Sequence, residues 1–185
     1  MQSVLKDKVY DVDEYFLLEE SGEVRHEFIN GNLYEMSGAS REHHKICKKL
    51  LRFFESYLEK KGYETFIENM KVKIPGEKIY YYPDILITNE QQTDENRYVQ
   101  FQPALLAEVV SDSSRKTDMV DKLIQYQKFS SLKYYLIVEQ DKQEIIVVSC
   151  NADGKWQSET YNQPDAIINL SALEIQINLQ EIYAL

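Results

Sequence analysis

Two acidic residues stand where acidic residues are expensive. Glu108 lies inside Ala104-Leu105-Leu106-Ala107-Glu108-Val109-Val110, the most apolar run in the chain. A carboxylate in a fully buried strand costs free energy unless it is paired, hydrogen-bonded or bound to a metal. Asp84 follows Pro83 and leads into Ile85-Leu86-Ile87. Aspartate is depleted in strands, and the proline suggests a bulge that aims the side chain away from the regular ladder. Each residue alone has a plainer explanation: Glu108 at a partly solvated strand end or capping a turn, Asp84 bonding local backbone at a strand start. On strands that the pattern sets side by side, the two form a pair of oxygen ligands for a hard divalent cation, Mg²⁺ or Mn²⁺. Such an ion keeps positions open for a phosphate oxygen and a water, and a nearby lysine would steady the negative charge that develops on hydrolysis.

The elements that must position this pair are legible from periodicity. A short helix is expected over 12–19. A hairpin follows, 26–29 and 32–36, joined by Asn30-Gly31, the strongest short hairpin signal. Ser40 is a suitable N-cap for a long helix over 42–61. Its stripe of Ile46, Leu50, Phe53, Phe54, Tyr57 and Leu58 recurs at helical spacing, and Gly62 ends it. The alternation of 65–74 predicts a half-buried strand, and a second strand spans 80–88, interrupted at Pro83. Residues 89–102 read as a loop. The apolar strand from Pro103 to Val110 belongs at a sheet centre, covered on both faces. A helix over 117–129 and a strand over 134–138 complete an αβββαβ order, which predicts a mixed sheet flanked by helices. Beyond lie a strand over 144–149, another over 156–161 and a short helix near 179–183. With no repeat or linker, 1–185 reads as one domain: an N-terminal extension over 1–41, a core over 42–138, and a C-terminal hairpin and tail over 139–185.

Composition bounds the classes. The 185 residues, 43% hydrophobic and 28% charged, describe an ordinary globular chain with a real core. No apolar stretch reaches membrane-spanning length, and the charged N-terminus lacks the apolar segment of a secretory signal. Cys47 and Cys150 lie far apart in unlike contexts, so two buried free thiols in a reducing cytoplasm are expected. The net charge of −10 counts against strong sequence-independent binding to nucleic acid.

Tyr82-Pro83-Asp84-Ile85 followed by Ala107-Glu108-Val109-Val110, in this order of elements, resembles the PD-(D/E)XK nuclease core. The closer resemblance is to the Uma-type restriction endonuclease family, formerly a domain of unknown function. It runs through 26–36, Glu42-His43-His44, Pro83-Asp84-Ile85, and Glu108-Val109-Val110-Ser111-Asp112-Ser113-Ser114-Arg115-Lys116-Thr117-Asp118. It then continues through Asp121-Lys122-Leu123 and Tyr126 to 133–138.

The resemblance implies a restriction-endonuclease-like fold, a Mg²⁺-dependent phosphodiesterase acting on DNA, and a homodimer. Asp84, Glu108 and the Val109 carbonyl would bind the metal. One departure matters: the superfamily lysine, two residues after the glutamate, is here Val110. The resemblance implies that Lys122, on the following helix, replaces it. Asp118 and Lys122 also stand at i,i+4 in the favourable order, which describes an ordinary surface pair equally well. Glu27 and His43 are possible further site residues, although hairpin carboxylates are usually solvated and such a histidine is more often a surface group. Arg115 and Lys116 are possible phosphate contacts, better placed than Lys45, Lys48, Lys49 and Arg52 on the long helix. Two rival readings remain: a catalytically silent nuclease-fold protein that binds nucleic acid or a protein partner, and a dimerisation module.

Overall fold

Each strand pair in the chain is set by where its apolar residues must be covered, and two of them change partners midway. The computed structural model describes residues 4–5 (backbone alone), 8–36, 38–94, 97–111, 115, 117–151 and 153–184. In chain order the elements are β1 (Val4–Leu5), α1 (Val12–Ser21), β2 (His26–Ile29), β3 (Asn32–Glu35), α2 (Arg41–Leu58), β4 (Glu64–Ile67), β5 (Lys71–Lys73), β6 (Ile79–Tyr81) and β7 (Ile85–Thr88). There follow β8 (Val99–Gln100), β9 (Pro103–Val110), α3 (Leu123–Tyr126), β10 (Tyr134–Glu139), β11 (Ile145–Cys150), β12 (Trp156–Tyr161), β13 (Ile167–Leu170), β14 (Ile175–Asn178) and α4 (Leu179–Tyr183).

The main sheet has the order β12-β11-β10-β9-β7-β4, with β9 and β10 parallel and the other pairs antiparallel. All eight residues of β9 are buried, as its unbroken apolar run requires. Alternation divides them. Leu105, Ala107 and Val109 pack with α2, while Leu106 and Val110 pack in the second core with Tyr126 and Phe129. A second sheet, β1-β3-β2-β6-β5-β8, lies over that second face and is closed by α1 through Tyr15, Phe28 and Tyr80. The Asn30-Gly31 turn forms as expected, with φ of 51° and 91°.

The strands expected as continuous over 65–74 and 80–88 are each broken. The first divides into β4 in the main sheet and β5 in the second; the second divides into β6 in the second sheet and β7 in the main one. The breaks fall at Glu68, whose φ is 55°, and at Pro83-Asp84, and they are tied together by Glu68 N–H donating to the Asp84 carbonyl at 3.0 Å. Two strands thus cross between sheets at one level, and the side chains at the crossing face the gap between them.

Other departures are smaller. The helix expected over 117–129 is a wide π turn, Thr117–Lys122, running into the short α3. The region read as a loop over 89–102 contains β8, and the tail adds the β13–β14 hairpin. Cys47 is buried as expected, but Cys150 is exposed. Among the described residues no helix is long and apolar enough to cross a membrane.

Candidate active site

The sheet crossing opens into a cleft of about 720 Å³ lined by Glu27, His43, His44, Glu68, Asp84, Glu108, Val109, Asp118 and Lys122, with Glu23, Arg25, Glu35 and Tyr82 among its other walls. Asp84 and Glu108 meet there because β7 and β9 are antiparallel neighbours. Ile85 pairs with Ala107, so the next step of the register sets Asp84 across from Glu108. Asp84 is fixed by the backbone it faces: Val109 N–H donates to its Oδ2 at 2.7 Å.

Glu108 projects toward α3 and is 3% exposed. Its Oε1 accepts from Lys122 Nζ at 3.0 Å and from the Tyr126 hydroxyl at 2.8 Å. Lys122, 4% exposed, also stands 2.9 Å from Glu27 Oε1 and 3.4 Å from Asp118 Oδ1. The widened π turn buries both Asp118 and Lys122, so the i,i+4 pair is an interior one and not a surface pair. π turns of this kind occur often at functional sites. Glu27 is buried on β2, in the second sheet, where Tyr82 N–H approaches its Oε1 at 3.4 Å. The expectation of a solvated hairpin carboxylate fails because Glu27, on the face of β2 opposite Phe28 and α1, points into the interior against Lys122.

The electrostatics are lopsided. One ammonium sits among Glu27, Glu108 and Asp118, with Asp84 close by. Burial pushes the Glu108 carboxyl well above its ordinary value; Lys122 opposes this, and Asp118, Asp84 and Glu27 reinforce it. Burial alone would lower Lys122, but the charges of Glu108 and Glu27, with Tyr126 and Asp118, hold it well above its ordinary value. Lys122 is therefore a cation at neutral pH.

His43 enters from the first turn of α2, where Ser40 Oγ accepts its N–H at 3.0 Å. Its Nε2 lies 3.2 Å from Asp84 Oδ1 and 3.6 Å from Glu68 Oε1. Burial works against its charged form, yet the hydrogen bond to Asp84, the charges of Asp84 and Glu68, and a backbone bond to Val109 raise His43 above its ordinary value. Half-buried against a carboxylate, it is not the surface group that helix starts usually carry.

The structure thus brings Asp84, Glu108, Lys122, Val109, Glu27 and His43 together. It holds Arg115 elsewhere: Nη2 donates to Glu139 Oε2 at 2.6 Å and Nη1 to Oε1, a two-pronged pair with a buried carboxylate, and Arg115 does not line the cleft. Lys116 lies outside the described residues. Sequence reasoning missed Glu68 and the Tyr126 hydroxyl, and placed Asp118 only as a partner of Lys122. The one local mark of Glu68 is that it stands on the apolar register of Phe66, Met70, Val72 and Ile74. Tyr126 could have been found, since a tyrosine one turn after Lys122 on the same helix face shares its target.

A family model described as "Putative restriction endonuclease", Uma2, matches residues 12–180. Two Synechocystis proteins, both described as uncharacterized, are similar along nearly their whole lengths. One, sll1609, is 28% identical over 177 residues, 95% of this chain and 100% of its own length. The other, slr1290, is 28% identical over 171 residues, 92% and 90% of the two chains. A crystal structure from Anabaena variabilis, titled as a putative nuclease belonging to DUF820, superposes with a TM-score of 0.77 over 95% of this chain and 98% of that one. At 16% identity this shows a shared fold. The chain belongs to the Uma2 family, described as putative restriction endonucleases, and carries its nuclease-type fold.

Proposed function

We propose that this protein is a metal-dependent endonuclease that hydrolyses phosphodiester bonds in DNA, with Asp84, Glu108 and Lys122 at its centre. The observation that carries this reading is the position of Lys122. Although the lysine comes from a helix and not from the strand, its Nζ reaches Glu108 Oε1 at 3.0 Å in a cleft that also exposes Asp84.

The residues fit a divalent cation. The cluster holds more carboxylate than one ammonium offsets, and burial penalises the ionised form of Glu108. A hard cation beside oxygen ligands relieves both. Asp84 and Glu108, with the Val109 carbonyl, would hold it, and it would supply Lewis-acid polarisation of the phosphate and a more acidic water. The chain's own groups do the rest. Val109 N–H keeps the Asp84 carboxylate turned into the cleft, and the Tyr126 hydroxyl orients Glu108. Lys122, held protonated, donates to the attacking water and stabilises charge on the phosphate oxygens; it does not act as a base. His43, against Asp84, is placed to shape the same wall. In the proposed enzyme two copies act as a homodimer, one on each strand.

The test is conversion of supercoiled plasmid to nicked and linear forms by the purified chain with Mg²⁺ or Mn²⁺, compared with the same reaction in chelator. Cleavage that needs the cation supports the reading. Binding of DNA with no cleavage under any divalent cation would instead support a silent nuclease-fold binding protein, a reading favoured by Val110 standing where the superfamily lysine is expected.

A further inference from the structure

On the α2 side of Asp84 stands a second set of donors, of which the hydrolytic centre draws only on Asp84 for its cation. His43, Cys47, Glu68 and Asp84 each present one ligand atom, and these atoms all lie within 4.8 Å of one another. Three independent features of the fold bring them together. His43 and Cys47 are one turn apart on α2, so their side chains leave the same face of the helix. Glu68 and Asp84 sit at the two strand crossings, locked to each other by the backbone bond between Glu68 N–H and the Asp84 carbonyl, 3.0 Å long. The separations of His43 Nε2 from Asp84 Oδ1, 3.2 Å, and from Glu68 Oε1, 3.6 Å, bracket those of two ligands sharing one tetrahedral ion. For metal–ligand bonds near 2.0–2.2 Å that separation is about 3.4 Å.

One of the donors lacks a hydrogen bond within the protein, and another is fully buried. Glu68 Oε1 is shielded from solvent and makes no well-formed hydrogen bond, although His43 and His44 nitrogens stand 3.6 and 3.0 Å away. A desolvated carboxylate oxygen without such a bond costs stability that a cation would return. The Cys47 side chain is 0% exposed, and its Sγ is turned toward this polar group from within the α2 core.

We propose that His43, Cys47, Glu68 and Asp84 form a site for a borderline-soft divalent cation of the Zn²⁺ or Co²⁺ class, distinct from the hard-cation position on the Glu108 side and sharing Asp84 with it. The donor set decides the class. One imidazole, one thiol and two carboxylates in a group of four suit a tetrahedral ion with affinity for nitrogen and sulfur. Mg²⁺ prefers six oxygen ligands and keeps water among them. The inference rests on the proposed function only in calling Asp84 shared; the donor set stands without it.

The full chain, free of nucleic acid, is titrated with CoCl₂ and with ZnCl₂. Binding of one Co²⁺ per chain is expected, with the intense visible bands of a tetrahedral ion and a near-ultraviolet thiolate-to-metal band. Cys47→Ser should abolish the thiolate band. His43→Ala and Glu68→Gln should weaken Zn²⁺ binding by at least about 10–100-fold, the loss that even an outer partner's removal causes. Glu108→Gln, on the other side of Asp84, should retain the thiolate band. Near-ultraviolet circular dichroism of each metal-free variant separates lost ligation from lost folding, and Glu68→Gln, at a partly exposed turn, serves if Cys47→Ser does not fold. Failure of the parent to bind Co²⁺ stoichiometrically, a Co²⁺ spectrum without the thiolate band, or parent-like Zn²⁺ affinity in His43→Ala and Glu68→Gln would overturn the site. A chain that shows the thiolate band but cuts no DNA with Mg²⁺ keeps this site and overturns the hydrolytic reading. A chain that cuts with Mg²⁺ but binds no Co²⁺ overturns this site alone.

Discussion

Two ion clusters of the described residues stand at opposite ends of the β9–α3 connection, a partly exposed one centred on Arg115 and a buried one centred on Lys122. Arg115 puts both guanidinium prongs on the carboxylate of Glu139, outside the cleft. Lys122 meets Glu27, Glu108 and Asp118 at 2.9, 3.0 and 3.4 Å, three carboxylates on one ammonium, at the back of an open cleft. A two-pronged pair whose guanidinium still meets solvent keeps much of that cation's hydration, and its attraction offsets part of the carboxylate's desolvation. An unbalanced cluster stores unfavourable charge, and such groups collect where a ligand supplies what is missing. The comparison teaches that several carboxylates crowding one buried ammonium at an open cleft set the candidate site apart from the Arg115–Glu139 pair.

The comparison is broken most severely at Lys122. Lys122→Met leaves Glu27, Glu108 and Asp118 buried without a cation, and should lower unfolding free energy by about 3–5 kcal/mol in urea titrations at neutral pH. A loss below about 1 kcal/mol, the scale of an exposed pair, would mean that the cluster is solvated in solution. Arg115→Leu takes the guanidinium from the buried Glu139 carboxylate. Because the guanidinium is one-third exposed, at 34%, solvent screens part of the loss, and about 1–3 kcal/mol is expected with cation-dependent cleavage unchanged. Loss of cleavage in this variant at intact stability would move Arg115 back among the phosphate contacts.

Glu108 sharpens the contrast through pH. Its folded-state carboxyl is raised, by burial first, so the folded chain holds that proton more tightly than the unfolded chain does. Its contribution to stability is therefore fullest below the unfolded value near 4.5 and is lost as pH rises from there toward the folded value. Glu108→Gln, in metal-free buffer, should gain stability relative to the parent across that rise, read as the difference in Tm between pH 4 and 8. The opposite slope would show that Glu108 is stabilised as a carboxylate by Lys122 alone. The smallest change belongs to the exposed pair of Lys128 and Glu77, 2.7 Å apart with both side chains more than a third exposed: Lys128→Ala should cost under about 1 kcal/mol.

What was legible in the sequence was whatever announced itself locally. Glu108 contradicts the apolar run around it, Asp84 follows a proline inside a strand, and the order of helices and strands follows from periodicity. What was hidden depends on tertiary pairing. Residues 70–74 alternate cleanly and read as one strand with 65–69; Glu68 interrupts the apolar register of Phe66, Met70 and Val72, but that alone does not tell that it takes a left-handed φ of 55° and passes the chain from one sheet to the other. Glu27 reads as a hairpin carboxylate and is buried because its face of β2 turns inward against Lys122. The π turn that draws Asp118 and Lys122 inward has the same spacing, in sequence, as a surface helix. Cys150 was expected to be buried like Cys47, but it ends a strand whose last residue is exposed.

The central claim is that the over-acidic cluster and Asp84 form one cation-assisted hydrolytic centre. Its most direct test is the single-turnover rate of plasmid cleavage across a Mg²⁺ titration, for the parent and for Asp84→Asn, Glu108→Gln and Lys122→Met, each checked for folding. The account predicts a parent rate that rises and saturates with Mg²⁺, and losses of about 10²–10³-fold or more in each variant, the scale of removing one group that stabilises transition-state charge. Cleavage at the parent rate in all three folded variants would contradict it.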